Sequence, residues 1–291
     1  MQEVKSIAVL MTCFNRKEKT IICLDNLYRS NMQGVHLDIY LVDDGSTDGT
    51  SLLIKEKYPN VNVIEGTGSL YWNGGMRLAW SESLIKGYDF YLWINDDSMI
   101  YRDSIVKIVE CYNKIQKGNE CPGAVIGTMV DPVTKEKTYG GRVSLSNLFP
   151  IRSGDIIDSS ELPVRCDFIN GNFTLIPHDS VDKVGILNER FTHSMGDFDY
   201  GLRLIKSGMS CWVAPGVYGE CQNNPIEGGC KDKNLSIDAR LKKMQMYSQL
   251  PPPKEWKYFV RHHGGIFWPI LWLKTHLREK FPKLWVLIRS R

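Results

Sequence analysis

Short apolar runs and helix-period stretches alternate through the first hundred residues. Residues 6–11 (SIAVLM), 37–42 (LDIYLV), 61–64 and 90–95 (FYLWIN) have the character of buried strands. Between them, residues 17–30, 47–58 and 74–86 carry helical spacing, with Ile21, Leu24 and Leu27 marking one face. Strand–helix–strand repetition at this spacing predicts an α/β fold built on a mostly parallel sheet with right-handed crossovers. In such sheets ligands bind beyond the carboxyl ends of the strands. Acidic or Asn-rich pieces follow two of the predicted strands directly.

Residues 121–195 are less regular and hold turns such as Asn170-Gly171-Asn172. Residues 196–207 then predict a helix, 211–213 a strand and 239–249 a further helix. Pro251-Pro252-Pro253 breaks the chain. Beyond it, aromatic and basic residues alternate closely.

Composition narrows the class. The 291 residues are 43% hydrophobic and 24% charged, which excludes a disordered or fibrous chain. A net charge of +3 makes no case for a nucleic-acid partner. Its distribution is uneven: from Lys254 onward, nine Lys/Arg face only Glu255 and Glu279, a local charge of +7 on a body of −4. The eight cysteines form no C-x-x-C pair, and Met1 to Lys5 runs straight into a strand without a signal peptide. Free thiols in a reducing cytoplasm are expected. The longest uncharged stretch of the tail, residues 262–273, contains Pro269 and falls short of the roughly 20 apolar residues of a spanning helix.

Three acidic motifs carry candidate chemistry. In VDDGSTDGT (42–50), Ser46 or Thr47 would cap the next helix, or Asp43 and Asp44 would accept hydrogen bonds from a base or ribose. Asn95-Asp96-Asp97-Ser98 ends an apolar strand, and adjacent carboxylates repel unless a cation or strong donors share them. Hard oxygen ligands suit Mg²⁺ or Mn²⁺, which neutralise a departing diphosphate; the plain alternative is a solvated turn. Asp197 and Asp199 open a helix, where acids are favoured by the dipole, or one of them is a general base.

In this order the motifs resemble one family. Thr12-Cys13-Phe14-Asn15-Arg16, VDDGSTDGT, Gly68 to Arg77 (GSLYWNGGMR), Asn95-Asp96-Asp97 in the place of a D-x-D motif, and Gly196-Asp197-Phe198-Asp199 are similar to the inverting family-2 nucleotide-sugar glycosyltransferases of GT-A fold. The likeness covers roughly residues 5–225. YWNGGMR (71–77) and GDFDYGLR (196–203) are similar to a branch linked to bacterial surface polysaccharides, with rhamnosyl- or galactosyl-type transferases.

The resemblance implies roles. Thr12, Phe14, Asn15, Asp43 and Asp44 would hold the nucleoside; Trp72, Asn73 and Arg77 would border the donor pocket; Asn95 and Asp96 would lie at the ribose. Asp97 would bind Mg²⁺ or Mn²⁺, Asp197 would be the base, and Asp199 would help hold the helix start or acceptor. A metal-binding His of many relatives is missing, since residues 217–221 read VYGEC, and Glu220 or His193 stands as candidate third ligand. The Gln-x-x-Arg-Trp signature of processive synthases is absent, which implies one sugar per acceptor.

The implied donor is a UDP- or dTDP-linked hexose and the acceptor a lipid-linked glycan. The catalytic domain would span 1–250, with a nucleotide half (1–120) and an acceptor half (121–250). Residues 251–291 would form a helical segment that packs on the protein or rests on an anionic membrane. That places the protein in the cytoplasm, peripheral on the inner face of the membrane. A sugar-phosphate nucleotidyltransferase or a non-catalytic nucleotide-sugar-binding protein on the same fold are the alternatives. Nothing in the sequence sets an oligomeric state.

Overall fold

The computed structural model describes residues 4–223, 226–246 and 249–289. The chain begins with β1 (Lys5–Cys13), α1 (Lys17–Tyr28), β2 (Val35–Asp43), α2 (Thr50–Lys57), β3 (Asn62–Glu65), α3 (Tyr71–Ser83) and β4 (Phe90–Ile94). It continues with β5 (Met99–Ile100), α4 (Ser104–Lys117), β6 (Pro122–Val130), β7 (Lys137–Tyr139), β8 (Arg142–Ser144), β9 (Ser153–Ile156), β10 (Val164–Cys166), β11 (Phe173–Pro177) and α5 (His178–Val184). Then follow α6 (Gly196–Lys206), β12 (Ser210–Glu220), α7 (Ile237–Met244), α8 (Pro253–His263), α9 (Trp268–Lys280) and α10 (Pro282–Arg289).

One sheet runs in the order β10-β12-β6-β11-β4-β1-β2-β3. β1 pairs parallel with both β2 and β4, and β2 with β3, as the α/β repetition requires. β11 lies antiparallel between β4 and β6, and β12 is parallel to β6. The sheet is therefore mostly parallel and continuous. The expected nucleotide and acceptor halves share it, so they are two ends of one layer and not two separate units.

Alternation along the strands decides which layer each residue joins. Ile7, Val9 and Met11 of β1 pack with Cys23, Leu24 and Leu27 of α1 and Ile105, Ile108 and Tyr112 of α4. Ala8 and Leu10 turn to the other face, against Met76, Ala79 and Trp80 of α3 and Tyr200 and Leu204 of α6. Helices cover both faces, which is why these strands read as unbroken apolar runs. Trp80 is fully buried, with Trp93 at 5.5 Å, Tyr91 at 5.5 Å and Tyr200 at 5.2 Å. This aromatic knot ties the helix that opens one motif to the helix that carries another.

Three elements differ from the expected pattern. α4, which the expected elements did not include, buries Ile105, Ile108, Val109, Tyr112 and Ile115 at helical spacing. β6 is buried at all nine positions and belongs to the stretch expected to be irregular. β12 is also much longer than the expected residues 211–213, and its register shifts between Val213 and Val217. All eight cysteines are free thiols.

The tail divides into two parts. Phe259 and Val260 of α8 are buried against Phe191, with Met195, Phe198, Leu202 and Trp256 around them. α8, the first helix of the expected segment 251–291, therefore packs on the body. Farther on, Ile266, Ile270, Leu273, Leu277, Phe281 and Leu284 are exposed at intervals of three or four residues. Within α9 that spacing puts Ile270, Leu273 and Leu277 on one apolar stripe, with Phe281 and Leu284 exposed at and beyond the break before α10.

Candidate active site

Above the carboxyl ends of β1, β2 and β4 lies a cleft of about 460 Å³. The end of β1 supplies Thr12 and the turn after it Phe14 and Arg16; the turn after β2 supplies Asp44. Tyr71 and Trp72 enter from the start of α3, and Asn95, Asp96 and Asp97 from the end of β4. Tyr139, His193, Glu227, Gly228, Gly229 and Gln249 face them. The volume suits a small-molecule ligand. A depression of equal size at the opposite ends of the strands, lined by Tyr28, His36, Asp38 and Asn62, gathers no comparable chemistry.

The acid pair has a partner that the sequence reading left without a role. Arg16 sits at the N-cap of α1 and spreads its guanidinium over both acids. One nitrogen lies 2.9 Å from the Asp96 carboxylate and the other bonds Asp97. Asp96 is only 3% exposed. Burial is the largest influence on it and, with Asp97 adjacent, pushes its pKa up to about 7 against the pull of Arg16. The signal was an arginine in the turn beside two adjacent carboxylates, which need a donor once desolvated.

No three His, Cys, Asp or Glu side chains form a metal cage among the described residues. Asp97 lines the cleft with one oxygen 3.6 Å from the Cys221 sulfur. A single carboxylate at a cleft fits Mg²⁺ or Mn²⁺ when substrate phosphates complete the shell. Of the two candidate third ligands, Glu220 does not line the cleft, and its carboxylate pairs with Lys135 at 2.6 Å and accepts from the Tyr101 hydroxyl at 3.5 Å. His193 does line the cleft, and burial lowers its pKa, so the ring is neutral at pH 7.

Several of the residues expected at the ligand make internal hydrogen bonds. The Asp44 carboxylate accepts three backbone N–H groups, from Gly68 at 2.8 Å, Leu70 at 2.8 Å and Tyr71 at 3.0 Å. Asp43 accepts from the Ser46 N–H at 2.9 Å and does not line the cleft. Asn15 accepts from the Thr47 N–H at 2.8 Å, while its own N–H donates to Ser46 Oγ at 2.8 Å. Ser46 and Thr47 thus join two turns and do not cap α2, whose N-cap is Gly49. Asn73 is fully buried and donates to the carbonyls of Asn188 and Phe191. Arg77 lies outside the cleft lining.

A chain of contacts leads from the acid pair to the expected base. Trp72 donates its indole N–H to Asn95 Oδ1 at 2.8 Å. The same ring packs so tightly on Gly171 that a Cβ there would overlap it. Asn170, one residue earlier, donates to Asp197 Oδ2 at 3.5 Å. Asp197 is half-buried in the first turn of α6, and desolvation pushes its pKa up to about 6 although the Phe198 N–H bonds it.

Asp199, expected to help hold the helix start or acceptor, lies in the first turn of α6 and is tied to the surrounding helices. It is 1% exposed and is held by Arg203 at 2.7 Å and by His263 Nε2 at 2.8 Å. Burial alone would raise its pKa, but these two partners hold it below the ordinary carboxylate range.

Backbone strain clusters at the same place. Asn15, Tyr71 and Met195 have φ of 50°, 54° and 73° without being glycine. They sit in the turn after β1, at the start of α3 and at the start of α6, the three elements that converge here.

Comparison with solved structures finds the same architecture elsewhere. A mannosyltransferase from Pyrobaculum calidifontis, solved with GDP-Man and Mn²⁺, superposes with a TM-score of 0.57 at 15% identity over 99% of this chain and 73% of its own. TarS 1-349 of S. aureus with UDP-GlcNAc gives 0.54 at 14% identity, over 88% and 71%. GalNAc-T7 with UDP, GalNAc and Mn²⁺ gives 0.55 at 12% identity, over 77% and 46%. At these identities the likeness establishes the GT-A fold. Among curated proteins, no sequence matches this chain significantly. The family model for glycosyl transferase family 2 matches residues 8–173, more than half of the chain and the whole of the strand–turn frame that builds the cleft. The protein belongs to glycosyl transferase family 2.

Proposed function

We propose that the protein transfers one hexose, with inversion, from a UDP- or dTDP-sugar to a hydroxyl of a lipid-linked glycan in bacterial surface-polysaccharide synthesis. The observation that carries this reading is Asp197: a half-buried carboxyl with its pKa pushed up to about 6, linked through Asn170, Gly171 and Trp72 to the acid pair. A base poised near neutrality is what proton removal from an alcohol needs. Asp197 takes the acceptor proton as the oxygen attacks the anomeric carbon, and the bond from that carbon to the diphosphate breaks on the opposite face. Asp97 would hold the divalent ion, which supplies charge neutralisation for the leaving diphosphate. Asp96 anchors Arg16 beside Asp97.

Asp97→Ala is expected to weaken UDP-sugar binding in the presence of Mn²⁺ by at least about tenfold and to abolish its dependence on metal. Titration calorimetry checks this. Equal donor affinity with and without Mn²⁺ in the wild-type protein would remove the ion from the scheme.

The exposed apolar stripe on α9, with exposed Phe281 and Leu284 beyond it, supports a membrane-facing acceptor. No helix among the described residues is long and apolar enough to cross a bilayer. The stripe runs beside exposed Lys274, Lys280 and Lys283, an arrangement suited to the surface of an anionic bilayer. Each basic residue there contributes about 1 kcal/mol. The full chain is expected to cosediment with phosphatidylglycerol vesicles at low salt, and Leu273→Glu with Leu277→Glu to abolish this without altering the melting temperature. Unchanged cosedimentation of the double variant would exclude the stripe as the contact. A wild-type dimer that dissociates on the same substitutions would assign the stripe to a second copy.

A further inference from the structure

We propose that Arg16 is a gate on the cation site: it occupies Asp97 while the cleft is empty and transfers to the diphosphate when the donor enters. This rests on the glycosyltransferase reading and concerns how that site is regulated. Among the described residues, four acids line the cleft, Asp44, Asp96, Asp97 and Glu227, against a single Lys or Arg, which is Arg16. Asp44 is compensated by backbone N–H groups, so the charge problem is concentrated at Asp96 and Asp97. A nucleotide diphosphate is itself an anion, and it enters such a cleft only with cations to meet it.

The geometry shows how one arginine serves both conditions. The guanidinium is a planar fork with two nitrogens on two different carboxylates. One Asp97 oxygen is taken by Arg16 and the other lies 3.6 Å from the Cys221 sulfur. A divalent ion that takes the Asp97 oxygen held by Arg16 displaces the guanidinium and leaves it without its second partner. A diphosphate arriving with the ion gives Arg16 a new anion of matching geometry. The Arg16 side chain is 35% exposed, whereas that of Asp96 is 5% exposed. The guanidinium therefore has room to turn about its contact with the fixed acid. Metal and nucleotide consequently bind as a linked pair, each strengthening the other.

Linkage of this kind is read in binding, without turnover. Mn²⁺ affinity of the full chain is measured by the electron paramagnetic resonance signal of free ion, with and without UDP. In the wild-type protein UDP should tighten Mn²⁺ at least about tenfold. Arg16→Gln should bind Mn²⁺ alone about tenfold more tightly than wild type, and the enhancement by UDP should shrink. Arg16→Lys keeps the charge but loses the fork, preserves the counter-ion of Asp96 should the glutamine variant fold poorly, and should fall between the two. If neither variant binds Mn²⁺ alone better than wild type while UDP still binds with the metal, Arg16 is not the gate. If UDP, dTDP and GDP all fail to bind the wild-type protein with Mn²⁺, the glycosyltransferase reading itself is overturned.

Discussion

Asp197→Asn is expected to lower transfer by about 10²- to 10⁴-fold, to leave donor affinity near wild type, and to make the protein more stable at neutral pH. The three effects have one cause. Desolvation places the Asp197 pKa at about 6 against an ordinary 3.8, so the folded protein holds this proton more tightly than the unfolded chain does. The resulting stabilisation is fully present below about pH 4 and is lost as pH rises through 6. Above that, the ionised carboxylate costs on the order of 1–3 kcal/mol, given its partial exposure. Asparagine keeps the shape, removes the charge and cannot accept the proton. Wild-type kcat/KM should therefore rise with pH through about 6 and then level. The melting temperatures of wild type and variant should converge at acid pH and separate by a few degrees at pH 7.5. A variant with near-wild-type turnover would falsify the assignment of Asp197 as base.

Ending the chain at Pro252 is expected to abolish cooperative folding. α8 supplies Phe259 and Val260 to a core cluster with Phe191. It also supplies His263 to the buried Asp199 and Glu255 to the N–H and hydroxyl of Thr192. Removing one buried Phe costs about 3–5 kcal/mol, and leaving a buried carboxylate short of a partner adds to that. Together these approach the entire 5–15 kcal/mol stability of a typical domain. Circular dichroism through a thermal ramp checks it. A cooperative transition within a few degrees of the full-length value would show α8 to be an accessory. The milder Phe259→Ala should lower stability by about 3–5 kcal/mol in urea while leaving a two-state transition.

The parts of the fold that were legible are those with a local signal. The strands and helices from β1 to β4 announce themselves by period, and the carboxylates fall where parallel strands end. What period does not carry is the choice of partner. Nothing around Phe173–Pro177 says that β11 inserts antiparallel between β4 and β6. Asp44 looks the same in sequence whether it meets a ribose or the amides of Gly68, Leu70 and Tyr71. Arg16 and Asp97 lie 81 positions apart, and His263 and Asp199 lie 64 apart. The tail shows the limit well. Its aromatic and basic alternation suits packing and a membrane alike, and only the structure sends Phe259 inward and Leu273 outward.

The contact of Trp72 on Gly171 has a counterpart one residue along, where any side chain at Gly196 would collide with Asn73. The first turn of α3 is thereby wedged between two backbone segments that admit no side chain. One wall of the cleft cannot yield to a larger sugar. The facing wall is assembled differently, from Glu227, Gly228, Gly229 and Gln249, in turns fastened by bonds such as Gly228 N–H to Asp232 and Cys230 N–H to the Gln249 side chain. New donor preferences in related sequences should therefore arise by substitution and length change between β12 and α8. The Trp72 side would stay constant because it is the mould against which each variant is cast.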